Sequence, residues 1–208
     1  MRQIVYTLLF FALTLNVKSQ SLSSKEGALI STPYHFSVTI PKEWKLLSKQ
    51  EIEEEKRKLN NTDLLMSSIA YLGDKKNFDD IPKLFVVFYP QSKIGEKGFL
   101  QSSKLILSSK VRDFVEKGMN KKFTEWSFKL NENEYNIDTA KRMIMFSSST
   151  EYNDGKKGVV TYCYFLMKTG AAEINFSFQK PVMGNYENVM KKILRSVHID
   201  EAFRLVKD

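Results

Sequence analysis

The pattern of apolar and polar positions is clearest between residues 158 and 179. Residues 158–167 are almost continuously apolar or aromatic, which is typical of a strand buried on both sides. Residues 172–179 alternate between apolar and polar side chains, as in a strand with one side facing solvent. Gly170, which accepts a positive φ without strain, favours a tight turn between them. The pattern predicts a central hairpin with Glu173 on the solvent-facing side of its second strand.

The first predicted helix begins after Ser48, which has the character of an N-cap residue. Ser48 and Glu51 have the spacing of a capping box, in which each side chain accepts a hydrogen bond from the other residue's backbone N–H. We therefore expect a helix over residues 49–59.

Two further helices are predicted from apolar residues at helical spacing. The longer spans 97–118, with Phe114 among its apolar residues and Gly118 at its C-terminus. The last spans 185–196 and precedes a short tail. Both helices are expected to bury their apolar sides against a sheet.

Other runs of strand-forming residues complete the fold prediction. They lie at 34–40, 68–72, 83–89, 123–130 and 137–150. With the hairpin they make about seven strands, mainly in antiparallel order. The chain is therefore predicted to be α+β, with an antiparallel β-sheet of about six to seven strands flanked by helices.

The N-terminal residues are predicted to lie outside the fold. Arg2 precedes an apolar run at 4–15, the arrangement of a secretory signal peptide, and this run is shorter than the ~20 residues of a membrane span. The alternative is an N-terminal membrane anchor. The predicted organisation is a signal peptide at 1–20, a flexible leader at 21–31, a single domain at 32–200 and a tail at 201–208. No transmembrane segment is expected after cleavage, and the predicted location is periplasmic or extracellular.

The charge is basic but scattered. The whole chain has a net charge of +8, which falls to about +6 without Arg2 and Lys18. Four lysine doublets are separated along the sequence, at Lys75-Lys76, Lys121-Lys122, Lys156-Lys157 and Lys191-Lys192. A nucleic-acid-binding protein concentrates such charge on one face, so no nucleic-acid partner is expected. The alternative is a weak attraction of the lysines to anionic lipid headgroups or acidic polymers.

Candidate chemical groups are few. Cys163 is the only cysteine, so it forms no internal disulfide, and its place in the middle of a strand predicts a buried, inert thiol. His35 and His198 have no second histidine, cysteine or acid at the spacing of metal ligands. The acid pairs Asp79-Asp80 and Glu132/Glu134 lie in polar loops, where solvation is the simpler interpretation. The sequence therefore assigns no catalytic, cofactor-binding or metal-binding residue.

Two short motifs resemble those of the PsbP-like family. Near the start stands Tyr34-x-Phe36-x-Val38-x-Ile40-Pro41-x-x-Trp44, followed by the capped helix. Near the end stands Tyr186, then Ile193-Leu194-x-Ser196-Val197. The resemblance implies an α/β/α sandwich over most of residues 32–200. It also implies a protein that binds partners or assists assembly, as in exported bacterial members of unknown role, and it transfers no functional residue.

Three functions are consistent with these features. The first is an exported, non-catalytic binding or accessory protein of the cell envelope, whose partner is a protein or an envelope component. The second is an exported hydrolase with dispersed catalytic residues, which requires His35 or His198 to meet a serine or a carboxylate in a pocket. The third is a carrier of an apolar ligand, which requires a cavity between helix and sheet.

Overall fold

The structure is a computed structural model that describes most of the chain beyond the N-terminal region. The described residues are 23–24, 27–32, 35–58, 65–77, 80–89, 101, 108–122, 126–131, 136–138, 140–168, 170–179 and 183–204. The predicted signal peptide lies outside them, and so do Asp79, Glu132 and Glu134 of the predicted acid pairs.

Twelve strands and three α-helices are assigned within these residues. The strands are β1 Ser23–Ser24, β2 Gly27–Ser31, β3 Phe36–Pro41, β4 Lys45–Leu46, β5 Leu65–Tyr71, β6 Lys83–Tyr89, β7 Trp126–Leu130, β8 Asn136–Asp138, β9 Met143–Tyr152, β10 Lys157–Met167, β11 Gly170–Gln179 and β12 His198–Ile199. The helices are α1 Lys49–Lys58, α2 Ser109–Lys122 and α3 Met183–Arg195. Short 3₁₀ turns lie at Lys75–Asn77 and Glu201–Phe203.

The larger sheet has eight strands in the order β4-β5-β6-β11-β10-β9-β7, with β8 paired to β9. Every pairing in it is antiparallel. The predicted hairpin is confirmed as β10 and β11, which lie at the centre of the sheet with Tyr164 opposite Glu173. The predicted fold class, an antiparallel α+β sheet flanked by helices, is confirmed.

A second, four-stranded sheet has the order β1-β2-β3-β12 and was not predicted. The structure differs from the predicted flexible leader at residues 27–31, because β2 pairs with β3 over its full length. Gly27 makes this pairing possible, because its φ is +154° and a Cβ there would lie 1.8 Å from the carbonyl oxygen of Ile40. The beginning of the predicted tail is also docked, through a hydrogen bond from the N–H of Lys168 to the carbonyl oxygen of Phe203.

The main core lies between one face of the large sheet and a layer made of α3 and the small sheet. Its most enclosed large side chains include Phe36, Phe165, Phe176, Ile174 and Ile193. The helix predicted at 185–196 is confirmed as α3, and its Tyr186 ring stacks on Phe178 at 5.4 Å between centroids. Trp44 is buried in the same core, with 4% of its surface exposed.

The opposite face of the large sheet is covered partly by α1. Ile52 of α1 packs with Leu47 and Met66 on this face. The predicted capping box is confirmed, since the N–H of Ser48 donates to Oε2 of Glu51 at 2.6 Å and the N–H of Glu51 donates to Oγ of Ser48 at 3.4 Å. The sheet is therefore a middle layer between helical elements.

Helix α2 differs from its prediction in three respects. It begins at Ser109 and continues through Gly118 to Lys122, so the glycine does not end it. Residues 97–100 and 102–107 of the predicted helix lie outside the described residues. Phe114, expected on a buried side, is 78% exposed. The prediction was therefore wrong for Phe114, which does not lie on the buried side of the helix.

Candidate functional site

A cleft of about 350 Å³ opens where the ends of several elements meet. Its apolar side chains are Phe165 and Leu166 at the end of β10, Val197 after α3 and Ile199 in β12. Its remaining described lining residues are Ala140, Lys141, Arg142 and Arg204. The described lining thus combines an apolar floor with three basic residues and contains no acidic residue.

The C-terminal segment holds Arg204 beside the cleft. Arg204 forms an isolated β-bridge with Met167, the last residue of β10. Its Nε donates a hydrogen bond to the carbonyl oxygen of Ile199 at 2.9 Å. This hydrogen bond involves only Nε of the guanidinium, and Arg204 lines the cleft. The two terminal nitrogens of an arginine are suited to binding an anion through two hydrogen bonds.

The turn before β9 supplies the other two cations. Its shape is fixed by a hydrogen bond from the N–H of Lys141 to Oδ1 of Asp138 at 3.0 Å, and by one from the N–H of Leu166 to the carbonyl oxygen of Arg142 at 3.1 Å. Arg142 has a φ of +52°, in the left-handed region that residues other than glycine seldom adopt. Nζ of Lys141 reaches the carbonyl oxygen of Leu194 at 3.2 Å. The turn therefore ties β10 to α3 across the cleft.

A cluster of His35, Asp200 and His198 lies next to this segment. Nδ1 of His35 is 2.8 Å from Oδ2 of Asp200, and Nε2 of His198 is 3.4 Å from Oδ1 of the same carboxylate. The pairing of β12 with β3 creates this arrangement, because it places His198 opposite Ser37. The side chains are 45% exposed for His35, 59% for His198 and 49% for Asp200. The cluster is therefore a surface feature.

The cluster also joins the cleft to the small sheet. The ring of His35 stacks on Phe203 with centroids 3.7 Å apart and planes at 9°. Asp200 donates its N–H to the carbonyl oxygen of His35 at 3.1 Å. These contacts hold residues 200–203 in place, immediately before the Arg204 that lines the cleft.

The hydrolase hypothesis meets only part of its requirement. Each histidine contacts a carboxylate, as the hypothesis asks, but neither lines the cleft. Cys163 is fully buried, and burial raises the pKa of its thiol above the ordinary value, so it is not an available nucleophile. The histidines and the thiol therefore do not form a reactive centre together.

Glu173 corrects the prediction that its side of β11 faces solvent. It is 2% exposed, and desolvation raises the pKa of its carboxyl, while the hydroxyls of Tyr164 and Tyr89 and the amide of Asn175 act in the opposite direction. Its Oε2 has no hydrogen-bond partner within the described part of the chain. Only Tyr89 in this group is substantially exposed, at 39%. Burial therefore favours the protonated form of this carboxyl over its charged form.

Aromatic rings continue this cluster across the sheet. The ring of Phe146 stacks on Tyr162 with centroids 5.0 Å apart and on Tyr164 at 5.8 Å. Tyr164 also approaches Tyr89, at 6.3 Å. Burial raises the pKa of Tyr162 and Tyr164, so both hydroxyls stay protonated at neutral pH. The row is a packed layer around Glu173.

A second hollow of about 390 Å³ lies at the opposite end of β10. It contains acidic as well as basic residues, and Nζ of Lys156 lies 3.1 Å from Oδ1 of Asp80. Nζ of Lys157, which also lines it, lies 3.4 Å from Oε1 of Glu151. Because acidic side chains also line this hollow, the first cleft is the better candidate for an anionic ligand.

The described residues lack two other kinds of feature. They contain no cluster of three or more histidine, cysteine, aspartate or glutamate residues suited to a metal ion. Among the helices formed by the described residues, none has the length and apolar character to cross a membrane.

Most of the site has no direct signal in the sequence. Arg142 and Arg204 stand 62 positions apart and belong to no motif, so only the fold brings them together. Asp200 follows His198 by two positions, a spacing that is too common to indicate a contact. A left-handed arginine has no sequence signature either, since glycine or asparagine is the expected residue at such a position.

No protein-family model matches the chain, and a search of curated proteins found no significant match. Solved structures with similar folds were found. Cyanobacterial PsbP from Synechocystis sp. PCC 6803 is 10% identical with a TM-score of 0.49, over 81% of this chain and 89% of that one. LpqN of Mycobacterium tuberculosis, described as involved in cell envelope biogenesis, is 13% identical with a TM-score of 0.47, over 79% of this chain and 82% of that one.

A third similar structure is a protein from Bacteroides thetaiotaomicron VPI-5482. It is 12% identical with a TM-score of 0.46, over 85% of this chain and 49% of that one, so this chain spans about half of its length. PsbP, whose family the two sequence motifs resemble, is thus among the structures that this chain is similar to. At these identities the likeness concerns the fold alone.

Proposed function

We propose that the protein is an exported, non-catalytic binding or accessory protein of the cell envelope, and that the cleft beside Arg204 is its ligand site. The ligand class is an anion attached to a short apolar group, such as an acyl carboxylate or an alkyl phosphate ester. Such a ligand would place its apolar part on Phe165 and Leu166 and its charge near the three cations.

The composition of the cleft supports this proposal most directly. A buried floor with a cationic rim favours a molecule that is apolar at one end and anionic at the other. Arginine is well suited to such an anion, because its planar guanidinium binds carboxylate and phosphate oxygens in pairs. The volume of about 350 Å³ is sufficient for a headgroup and a short chain and too small for a complete phospholipid.

Calorimetric titration with octyl phosphate tests the ligand class. We expect saturable binding of octyl phosphate, and weaker binding of octanol, which lacks the charge. Arg204→Ala should weaken octyl phosphate binding about tenfold, since it removes a charge-assisted contact. Arg204→Lys should recover part of the loss, because the positive charge remains while the paired donors do not.

Arg195→Ala is the matched control for these variants. Arg195 is an exposed cation at the end of α3 that does not line the cleft, so its removal changes the net charge equally. It should leave the affinity unchanged. Equal affinity in Arg204→Ala and the wild type, or binding of octanol as tight as that of octyl phosphate, would contradict the proposed site.

Export is tested separately, by fractionating cells that express the complete chain and sequencing the N-terminus of the protein found outside the cytoplasm. We expect that N-terminus to fall near residue 20 or 21, where the predicted signal peptide ends. A protein that stays in the cytoplasm with Met1 attached would contradict export without affecting the cleft.

A further inference from the structure

Helix α2 is attached to the large sheet by polar side chains. Asn120 donates from Nδ2 to the carbonyl oxygen of Phe128 at 3.0 Å, and its Oδ1 accepts from the N–H of Phe128 at 2.6 Å. Oε1 of Glu116 accepts from the N–H of Leu130 at 2.7 Å. Both backbone residues belong to β7, which lies at one edge of the large sheet. The side of α2 that carries Glu116 and Asn120 therefore faces the sheet.

The other side of the same helix carries an exposed aromatic residue among lysines. Successive helical residues are about 100° apart, which places Phe114 about 200° from Glu116 around the axis. Lys117 and Lys121 follow Phe114 at the spacings that share one helical face, and both are exposed. Phe114 itself is 78% exposed. We call Phe114, Lys117 and Lys121 the basic stripe.

We propose that the basic stripe is a docking surface for an anionic lipid bilayer. The helix would lie in the plane of the headgroups, with Phe114 inserted at the boundary of the acyl chains and the two lysines beside the lipid phosphates. This role is separate from the ligand proposed for the cleft, because none of the described lining residues of that cleft belongs to α2.

Charge complementarity favours lipid over other partners. Of the two acids nearest to Phe114, Glu116 contacts β7, whereas Asp113 lies beside the basic stripe, one helical turn before Lys117. The sequence of α2 nevertheless carries five basic residues and two acidic ones, so its balance is positive. A flat anionic surface meets such a stripe without needing a shaped counterpart, and each lysine near it adds attraction that salt weakens. A single aromatic side chain adds a small apolar anchor, which suits reversible binding better than permanent insertion.

Sedimentation with lipid vesicles tests the proposal on the purified protein. We expect binding to vesicles of phosphatidylcholine mixed with phosphatidylglycerol, little binding to phosphatidylcholine alone, and a decline as salt is raised. The double variant Lys117→Glu and Lys121→Glu should weaken binding by about 30-fold or more. Phe114→Ser should weaken it by about tenfold through loss of the apolar contact.

Two controls separate the basic stripe from overall charge and from the cleft. Lys42→Glu with Lys49→Glu makes the same charge change at exposed positions elsewhere and should retain most of the binding. Arg204→Ala should also retain it, since the cleft takes no part. Circular dichroism and unfolding curves matching those of the wild type establish that each variant is folded.

The proposal is overturned if anionic vesicles do not bind the wild-type protein, or if the control double variant loses as much binding as the stripe double variant. It is also overturned if Phe114→Ser abolishes capture of a protein partner while vesicle binding is unaffected. Loss of vesicle binding in Arg204→Ala alone would instead place the lipid contact at the cleft.

Discussion

The carboxylate of Asp200 lies 2.8 Å from Nδ1 of His35, although 165 positions separate the two residues in the chain. The backbone closes the same junction, since the N–H of Asp200 donates to the carbonyl oxygen of His35. The ring of His35 then covers Phe203. The start of β3 and the segment that follows β12 are thereby fastened together beside the cleft.

Replacing Asp200 with asparagine should loosen this junction with little effect on global stability. The pair is exposed, so we expect the free energy of unfolding to fall by less than about 1 kcal/mol. Hydrogen exchange at the N–H of Lys168, which donates to Phe203, should become faster. Glu201→Gln, an exposed acid in the same segment, is the control and should leave that exchange rate unchanged. Equal exchange in wild type and Asp200→Asn would show that the side chain does not hold the segment.

Glu173 should make stability depend on pH in a direction opposite to that of a typical surface acid. Its folded-state pKa is raised above the ordinary 4.5 by desolvation, so the folded chain retains this proton at pH values where the unfolded chain has lost it. The free energy of unfolding therefore falls as pH rises from about 4.5 towards the raised pKa. Glu173→Gln has no such proton, so it should gain stability relative to the wild type as pH increases through that window.

Urea unfolding of both proteins at about pH 4.5 and at neutral pH measures this difference. Glu43→Gln, a change at an exposed acid, should show a constant difference from the wild type at the two pH values. A difference between Glu173→Gln and the wild type that stays constant with pH would mean that Glu173 titrates as an ordinary carboxyl.

Asn120→Ala should weaken the edge of the large sheet. The substitution leaves the N–H and carbonyl groups of Phe128 without their side-chain partner. We expect a loss of about 1–3 kcal/mol in the free energy of unfolding and a greater tendency to self-associate, because a bare strand edge pairs readily with another chain. Unfolding curves and light scattering measure the two effects.

Asn188→Ala, at an exposed position of α3, is the control for that change. It should alter stability by no more than about 0.5 kcal/mol and leave the protein monodisperse to the same degree as the wild type. If Asn120→Ala behaved in the same way, α2 would not be protecting the edge.

Gly27→Ala tests whether the N-terminal strand belongs to the fold. A Cβ at this position would meet the carbonyl oxygen of Ile40 at 1.8 Å, and the φ of +154° is unfavourable for alanine. We expect a loss of about 2–4 kcal/mol in the free energy of unfolding. Ser31→Ala, at an exposed position of the same strand, should change it little. Wild-type stability in Gly27→Ala would restore the earlier expectation of a loose leader.

The elements that periodicity predicted best are those whose environment is uniform. The apolar positions of β11 are all buried, and α3 presents one apolar side to a broad sheet. In both cases the pattern and the packing coincide. The alternation also correctly placed Glu173 and Phe176 on opposite faces of β11. The predicted exposure of Glu173 was wrong, because aromatic residues cover its side of the sheet.

Contacts between residues far apart in the chain could not be predicted from the sequence. Periodicity shows which residues of α2 share a side, but not that Glu116 and Asn120 would attach to a strand edge and leave Phe114 outside. The contact of His35 with Asp200 depends on the pairing of β3 with β12, which joins the two ends of the domain. No local pattern encodes such a pairing.

His35 and Arg142 are the two non-glycine residues with a positive φ in the described part of the chain. Glycine would occupy either backbone conformation at lower conformational energy. If ligand binding is not required, the protein should therefore tolerate glycine in place of Arg142. Laboratory selection for heat resistance alone should favour that substitution. Random mutagenesis followed by heating would then recover heat-resistant variants that lack the positive charge of Arg142. The position of such stabilising substitutions would identify the cleft as a surface where ligand binding is kept at a cost in stability.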